Sequence, residues 1–476
     1  MRRFAGVNLL VLALAGPGCA SVSRERGHAE VASLVEQRTG AKTRWQHGPP
    51  EDARIAEWTK KLLDGGLTRA GAVEIALLNN PQLQSTYEQL GVSQADMVQA
   101  GLLANPTLAG DLGFGVNSGD VYEARVSLAQ DFLNLFVLPL RKDIAREQFD
   151  ADVVRVAQQA LEVAAEVEKA VAAAQASVEL VGYRRAVVDA TRAASDLSGK
   201  QFEAGNINQL EHSTERANYE QAKLDLAHEE LEQLEGRERL NRLLGLWGVS
   251  TTWQLKETLA PVPADELRLD HLESLAIKQR FDVDAARRQV AIFGKAVDLA
   301  RSTRFVGRLE IGVDAHRDPD GPRVVGPNLV IELPIFDQRQ ATIARLEAQR
   351  RDEERKLAGV AINTRSEVRL AQARLMAARQ TALHFRDVMI PLRQQVVEQA
   401  QLHYNGMLLG LYQLLAAKQG EVEARRGYLE GLRAYWTARA ELARAVGGRL
   451  TAAPKSAESA KSAVSAVSPA QGTPSP

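Results

Sequence analysis

The stretch that decides the fold is Arg308–Arg317, RLEIGVDAHR. Its residues alternate without interruption, with Leu309, Ile311, Val313 and Ala315 on one side and mostly charged residues on the other. Alternation with a period of two predicts a β-strand that has one apolar and one polar face. The segments around this strand instead show the heptad spacing of helices longer than an ordinary α/β domain uses. We therefore interpret this strand, with three others like it, as part of a membrane-inserted sheet carried by long helices.

The composition of the 476-residue chain narrows the class of protein. Lys and Arg number 59 against 60 Asp and Glu, so the net charge of −1 predicts no basic surface and no nucleic-acid partner. Aromatic residues make up only 5%, and this helix-forming composition favours long helices and coiled coils. No later apolar run is long enough for a transmembrane helix. The single cysteine, Cys19, excludes an internal disulfide and a multi-cysteine metal site.

The N-terminus is predicted to be a secretory signal, residues 1–18, because two arginines precede the apolar run Phe4–Ala15. Cys19 follows small residues and resembles the lipobox cysteine of bacterial lipoproteins, which becomes a lipidated N-terminus carrying acyl chains such as palmitate. The match departs from the usual lipobox at Gly16, where leucine is common. The alternative is an ordinary signal peptide with an incidental cysteine. No aspartate follows Cys19, which in such lipoproteins favours the outer membrane.

The rest of the chain is predicted to consist of two similar halves. Ala76–Pro81 and Ala276–Phe281 occupy equivalent positions, and each half runs short helix, helix, strand, strand, long helix, long helix. An internal repeat of this kind sets the architecture. The predicted organisation is a lipidated N-terminal arm at 19–66, a first repeat at 67–248, a linker at 249–265, a second repeat at 266–448 and a disordered tail at 449–476.

Each half is predicted to contain one β-hairpin, with strands at about 106–116, 122–132, 307–317 and 326–335. A strand of about ten residues can cross a bilayer at a tilt. Four strands cannot close a barrel, and lipid does not tolerate open sheet edges, so inserted hairpins would require an oligomer. Polar strand residues would then line the lumen: Glu123, Arg125, Glu310, Asp314 and Glu332. The alternative is a small soluble sheet.

Long coiled-coil helices are predicted at about 140–196, 207–244, 338–402 and 408–446, because apolar residues there step alternately by three and four. A helix over 140–196 would be roughly 85 Å long, which is taller than a bilayer. Pro391 is expected to bend the long helix predicted over residues 338–402. The turns between paired helices contain Gly205 and Gly406, both of which are expected to take positive φ. The alternative is a structural coiled coil without a pore.

Together these features resemble the TolC-like outer-membrane efflux protein family over roughly residues 67–448. The motifs that carry the resemblance are the helix containing Ala76–Pro81, the segment Ala100–Pro106, the tip Phe202–Gly205 and the strand end Leu333–Asp337. The stretch Tyr404–Gly410, with Tyr435 and Trp436, resembles lipoprotein members of heavy-metal and copper resistance systems, and of RND-type efflux systems more widely.

The resemblance implies a mainly α protein with a small β part. It implies a homotrimer whose hairpins form a twelve-stranded β-barrel on an α-helical tunnel, placed in the outer membrane of a Gram-negative bacterium and extending into the periplasm. The implied partners are outer-membrane lipid, a periplasmic adaptor (membrane fusion) protein and an inner-membrane transporter of the RND type. The implied function is a passive exit duct for substrates that the pump expels, with metal ions suggested only by resemblance.

The resemblance also places functional residues at the periplasmic ends of the helices. Adaptor docking and the tunnel tip fall on Gly205, Asn206, Tyr404, Asn405, Gly406 and Met407. Family tunnels often narrow at acidic residues after the second tip, and this chain has no carboxylate at the matching positions. We therefore expect the gate to involve His403, Tyr412 or Gln413 instead.

No motif for catalysis is present: Gly-x-Ser-x-Gly, His-Glu-x-x-His and a phosphate-binding glycine loop are all missing. We expect no enzymatic activity, cofactor or resident metal. Two alternatives to the duct stay open at this point, a non-conducting structural coiled-coil lipoprotein of the envelope and a binding module of a secreted complex.

Overall fold

A computed structural model describes residues 27–46, 48–114, 121–264, 270–305, 307–317 and 321–450. The predicted signal segment, Cys19 and the part of the predicted tail beyond residue 450 lie outside the described residues. Among the helices described, none is both long and apolar enough to cross a membrane.

The first part of the chain is built from short helices, a hairpin and two long helices. The elements are α1 (His28–Thr39), α2 (Pro49–Asp64), α3 (Arg69–Asn79), α4 (Pro81–Ala100), β1 (Thr107–Phe114), β2 (Val121–Asp131), α5 (Leu133–Glu203) and α6 (Gln209–Leu244). A short 3-10 turn, Gly248–Thr251, follows α6. With 71 residues, α5 spans roughly 105 Å at 1.5 Å per residue.

The second part has a similar order of elements. They are α7 (Leu272–Gln279), α8 (Phe281–Ser302), β3 (Leu309–Arg317), β4 (Arg323–Ile331), α9 (Gln340–His384), a π turn (Phe385–Met389), α10 (Ile390–Asn405) and α11 (Leu411–Val446). Helix α5 packs along α6, α9 packs along α11, and α11 also contacts α5. Two antiparallel helical hairpins therefore form one elongated bundle.

Small apolar residues of α5 form the seam of this bundle. Ala157, Ala160 and Val167 are fully buried, and Val153 and Ala164 are nearly so. Their spacing by three and four places them on one helix face, and their size lets neighbouring backbones approach closely. One apolar core joins α5 to the short helices α1, α3 and α4, and a second joins α7, α9 and α11 to the middle of α5.

The four strands form one antiparallel sheet in the order β1-β2-β3-β4. The register aligns Leu108 with Leu128, Leu128 with Val313, and Val313 with Pro327. Because side chains alternate along each strand, this register puts the apolar positions of all four strands on one face.

Several element boundaries differ from the sequence prediction; α5 ends at Glu203 rather than near residue 196, and β4 begins at Arg323 rather than near 326. Two further differences have identifiable reasons. Helix α5 begins at Leu133 rather than near residue 140, because the Asp131 carboxylate accepts the backbone N–H of Leu133 at 2.9 Å and so begins the helix early. Strand β4 ends at Ile331 rather than near 335, and Pro334 has no N–H with which to extend the ladder.

The long helix predicted over residues 338–402 is interrupted just before Pro391, the residue that is expected to bend it. The π turn Phe385–Met389 lies immediately before α10, in which Pro391 occupies the first turn. A proline lacks the N–H for an i−4 hydrogen bond and crowds the preceding turn, and a π turn accommodates both effects.

Candidate functional site

The apolar face of the sheet is exposed in the single chain. Leu108 and Leu112 on β1 are 74% and 62% exposed, and Leu329 on β4 is 59% exposed. The same face continues across the two central strands, where four apolar side chains are each about half exposed: Val126, Leu128, Ile311 and Val313. A contiguous apolar surface of this kind is unfavourable in water and marks contact with lipid or with another protein.

The opposite face of the sheet is polar. Glu123 and Arg125 form an ion pair at 3.0 Å on β2, and Arg308 pairs with Glu310 at the start of β3. Asp314 lies on the same face, opposite Ser127 of β2. The sheet therefore separates an apolar surface from a charged one, with Glu123, Arg125, Glu310 and Asp314 on the charged side as predicted.

The first helix tip, between α5 and α6, closes with a left-handed glycine. Gly205 has φ of 72°, and the N–H of Asn206 donates to the carbonyl of Gln201 at 2.8 Å. The Asn208 side chain then accepts the N–H of Glu211 at 2.9 Å and starts α6. Gly205 thus takes the positive φ that was predicted for it.

The second tip closes in the same way, but not at the predicted residue. The N–H of Leu408 donates to the carbonyl of His403 at 2.8 Å, and the left-handed residue before it is Met407, with φ of 59°. The prediction that Gly406 takes positive φ is wrong, since its φ is −81°. The closing hydrogen bond requires the left-handed conformation directly before its donor, and the chain places Met407 there. Asn405 is the last residue of α10.

Of the three candidate gate residues, Tyr412 connects the two hairpins. Its hydroxyl donates to Oε1 of Gln201 on α5 at 3.0 Å. Burial, helped by the negative charges of Glu215 and Glu211, raises the pKa of Tyr412, so the hydroxyl stays protonated and able to donate. Sequence reasoning missed Gln201, because a contact between residues so distant in the chain leaves no spacing signal.

The other two gate candidates do not join this contact. The Gln413 side chain accepts the N–H of Gly410 at 2.8 Å and so caps the start of α11. His403 is exposed, and its carbonyl takes part in closing the tip. The structure therefore brings Tyr412 together with Gln201 and leaves His403 and Gln413 in local roles.

Farther from the tips along α5, the Arg184 side chain contacts acidic residues of two other long helices. This α5 residue lies 3.1 Å from Asp225 and 3.9 Å from Glu229, both on α6, and 4.0 Å from Glu423 on α11. Burial, reinforced by nearby Glu232, raises the pKa of Glu229. Through Glu423, this charge cluster is a second polar connection between the hairpins, in addition to their shared apolar core. Among the described residues, no group of three or more His, Cys, Asp and Glu could hold a metal ion.

Comparison with known proteins defines the class that this fold represents. Residues 72–246 match the sequence profile of the family described as Outer membrane efflux protein. The fold is similar to the Campylobacter jejuni CmeC outer membrane channel, with a TM-score of 0.69 and 14% identity over 88% of this chain and 92% of that one. It is also similar to a membrane protein from Pseudomonas aeruginosa, with a TM-score of 0.68 and 18% identity over 79% and 91% of the two chains.

A sequence relative extends the comparison beyond the fold. The chain is 22% identical over 378 residues to the cobalt-zinc-cadmium resistance protein CzcC of Cupriavidus metallidurans, covering 77% of this chain and 86% of that protein. The profile match, this relative and the shared channel fold confirm the resemblance to TolC-like outer-membrane efflux proteins that the motifs predicted. Residues 72–246 carry the sequence profile of an outer membrane efflux protein, and the chain has the fold of TolC-like outer membrane channels.

Proposed function

We propose that this chain is the outer-membrane exit duct of a tripartite efflux system in a Gram-negative bacterium. It conducts passively what an inner-membrane pump expels through a periplasmic adaptor, and it carries out no catalysis. The observation that carries the proposal is the apolar face that runs through all four strands and lies exposed at one end of a bundle with a helix of roughly 105 Å.

The proposed assembly is a homotrimer with a twelve-stranded barrel. Strands β1 and β4 each have one strand neighbour within the described residues, so both edges of the sheet are free to pair. Lipid requires every backbone N–H and C=O to be bonded within the protein, and a closed barrel achieves this. Three copies of a four-stranded sheet give an even-stranded barrel of ordinary size. The charged face would then line the lumen.

An internal repeat supports this arrangement, because matching contacts recur in the two halves. The Asn80 side chain donates to the carbonyl of Leu243 at 2.9 Å, and the Arg280 side chain donates to the carbonyl of Ala445 at 3.3 Å. Each bond ties the start of a half's second helix to the last turn of its final helix. Two equivalent halves per chain would let three chains build a quasi-sixfold ring of helical hairpins.

The proposed duct also gives roles to the predicted lipidation site, the helix tips and the cargo. Cys19 is the lipid attachment site, and the tips with Gly205, Asn206, Tyr404, Asn405, Gly406 and Met407 face the adaptor. The hydrogen bond from Tyr412 to Gln201 supports a closed state in which the hairpins are held together at the tips. The relative CzcC is named for cobalt, zinc and cadmium resistance, so divalent ions of these metals are the first cargo to test.

The test is to measure mass and conductance on detergent-extracted protein reconstituted in planar bilayers. We expect a trimer that gives stable single-channel steps. A trimer that never conducts, even with the tip link removed, would favour the structural coiled-coil lipoprotein. A monomer that salt alone releases from membranes would favour the secreted binding module and overturn the proposal.

The apolar strand face provides a sharper test. Replacing Ile311 and Val313 by Lys is expected to abolish membrane insertion, because a lipid-facing Lys at mid-bilayer costs about 2–4 kcal/mol. The matched control is Asp314→Lys, on the opposite face of the same strand. Insertion is measured as resistance to carbonate extraction. Equal extraction of both variants would contradict the assignment of the two faces.

A further inference from the structure

A cleft with no role in the proposed duct lies between α2 and the 3-10 turn Gly248–Thr251. Its volume is about 730 Å³, within the range of roughly 300–1,000 Å³ that is usual for small-molecule sites. One wall is a polar face of α2, and the other is the turn. The cleft is separate from both the sheet and the tips.

The turn presents an unusually exposed indole. Trp247 is 82% exposed and Val249 is 90% exposed, and both line the cleft. Single exposed apolar residues are common, but an aromatic ring this exposed beside a cleft is a candidate contact for a ligand.

The turn that carries Trp247 is firmly anchored. The Arg237 guanidinium donates to the carbonyl of Thr251 at 2.8 Å and stacks on the ring of Trp253, whose Nε1 donates to Asn241 at 2.8 Å. At the start of the turn, Gly245 is left-handed, and a Cβ there would lie 2.3 Å from the carbonyl oxygen of Asn79. The backbone that carries Trp247 is therefore held in place before any ligand binds, which lowers the entropic cost of ordering the turn on binding.

The opposite wall of the cleft offers three charged side chains. Asp52, Lys60 and Asp64 recur at helical spacing on one face of α2, and all three are exposed. Within the described part of the chain none of them forms an ion pair, and Ser250 adds a hydroxyl from the turn. The cores of subunit interfaces are depleted of Asp and Lys, so this lining does not fit a buried contact between copies.

An exposed indole facing carboxylates, an ammonium and a hydroxyl matches the chemistry of a sugar. The apolar C–H face of a β-linked pyranose stacks on an aromatic ring, while its hydroxyls donate to carboxylates and its acetamido oxygen accepts from an ammonium. Two carboxylates against one ammonium would repel a phosphate-rich saccharide. The lining therefore favours an uncharged amino-sugar chain.

We propose that this cleft binds a glycan strand of β-linked N-acetylated amino sugars, the polymer of the bacterial cell wall. This assignment rests on the proposed function, since a duct with helices of this length passes through the cell-wall layer. Trp247 would stack on one ring, and Asp52, Lys60 and Asp64 would bond to the edges of neighbouring rings. The interaction would fix the height of the duct relative to the wall.

The test is co-sedimentation of the purified full-length chain in detergent with isolated cell-wall sacculi, with soluble β-1,4-linked N-acetylglucosamine oligomers as competitor. Trp247→Ala is expected to weaken binding about tenfold or more, as removal of a central aromatic contact does. The matched control is Trp58→Ala, because Trp58 is also exposed and lies on α2 but is bonded to Glu74 rather than lining the cleft. Asp52→Asn combined with Asp64→Asn should weaken binding less.

Each outcome decides the question. Binding that is lost in Trp247→Ala, kept in Trp58→Ala and displaced by the oligomers supports the proposal. It is overturned if the wild-type chain does not sediment with sacculi, if it binds lipopolysaccharide vesicles instead, or if Trp247→Ala breaks the oligomer and so reveals a subunit contact. Conductance measured on the same preparations separates failure of this proposal from failure of the duct.

Discussion

At the scale of single residues, the buried charge of Arg280 carries a desolvation cost that neighbouring carboxylates offset. Arg280 is only 6% exposed, yet its guanidinium is paired with Asp282 at 2.6 Å and Glu367 at 2.7 Å. Its pKa is raised because these two carboxylates outweigh the desolvation caused by burial. A buried charge of this kind is tolerated only when its donors are used, and removing one partner would leave the charge uncompensated.

The two tip glycines provide a prediction about backbone conformation. Gly205→Ala should destabilise the first tip by about 1 kcal/mol, because Gly205 has φ of 72° and a Cβ is unfavourable there. Gly406→Ala is the control, since Gly406 has φ of −81° and the nearest atom to an added Cβ is 3.5 Å away. Amide hydrogen exchange at each tip measures the effect. Equal changes at both tips would contradict the assignment.

Glu168 provides a prediction about pH. Burial raises its pKa above the usual value despite the nearby Arg69 and Arg439. A raised carboxyl pKa favours the folded state below the unfolded pKa of about 4.5, and this contribution is lost as the pH rises through the folded pKa. Glu168→Gln should therefore reduce the loss of stability that accompanies a rise in pH above about 4.5, measured as the thermal unfolding temperature of both proteins at a series of pH values.

Glu166 supplies the matched control two residues away. Its burial is outweighed by hydrogen bonds and charge from Lys169 and Arg239, which lower its pKa. Its stabilising contribution is present above the unfolded pKa and is lost as the pH falls. Glu166→Gln should change the pH dependence in the opposite sense, and a change of the same sign in both variants would refute the assignment.

At the scale of elements, α9 and α11 approach closely at the π turn. A Cβ on Gly427 would lie 2.5 Å from the ring of Phe385, and one on Gly431 would lie 3.2 Å from the backbone of Ala382. Small residues on α11 thus make room for the turn that precedes Pro391. The π turn in the second long helix and the two glycines of α11 therefore pack against each other.

Gly427→Ala is therefore expected to destabilise the second hairpin by about 1–3 kcal/mol through overpacking. Gly359→Ala, on α9 where no atom lies within 4 Å of an added Cβ, should instead stabilise its helix by up to about 1 kcal/mol. Thermal unfolding of both variants tests the pair. The packing argument fails if Gly427→Ala is as stable as the parent protein.

At the scale of the whole molecule, polar contacts at two heights add to the apolar core that joins the two hairpins. The Tyr412 hydroxyl donates a hydrogen bond to Gln201 near the tips. Farther from the tips, Arg184 of α5 forms ion pairs with residues of α6 and α11. A neutral hydrogen bond contributes about 0.5–1.5 kcal/mol. The ion pair of Arg184 with the largely exposed Glu423, at 4.0 Å, contributes about 0–1 kcal/mol, so the two polar links are of similar strength. The bond of Tyr412 lies nearer the tips, and we expect its loss to act directly on opening there.

Tyr412→Phe should therefore raise the open probability of the channel in planar bilayers roughly twofold to tenfold, the equivalent of one lost hydrogen bond. Tyr404→Phe is the control, because Tyr404 is an exposed tip tyrosine outside the link to Gln201. If both substitutions leave the open probability unchanged, the bond does not contribute to closure.

Much of the fold was predictable because its signals are local. Alternation in Arg308–Arg317 predicts β3, and the heptad seam around Val153 and Ala164 predicts the buried face of α5. The candidate site was harder to predict from the sequence. Gly406 was assigned the wrong conformation, because the sequence shows where a turn lies but not which residue precedes its closing hydrogen bond. Gln201 was missed altogether.

The sequence by itself determined the order of elements, the two faces of the sheet and the resemblance to TolC-like efflux proteins, since each depends on periodicity or on short motifs. Only the tertiary structure decided which side chains meet across the hairpins, such as Tyr412 with Gln201 and Arg184 with Glu423. It also decided that Trp247 stands exposed beside a polar cleft. The reason is physical: such contacts join residues far apart in the chain, and only packing in three dimensions brings them together.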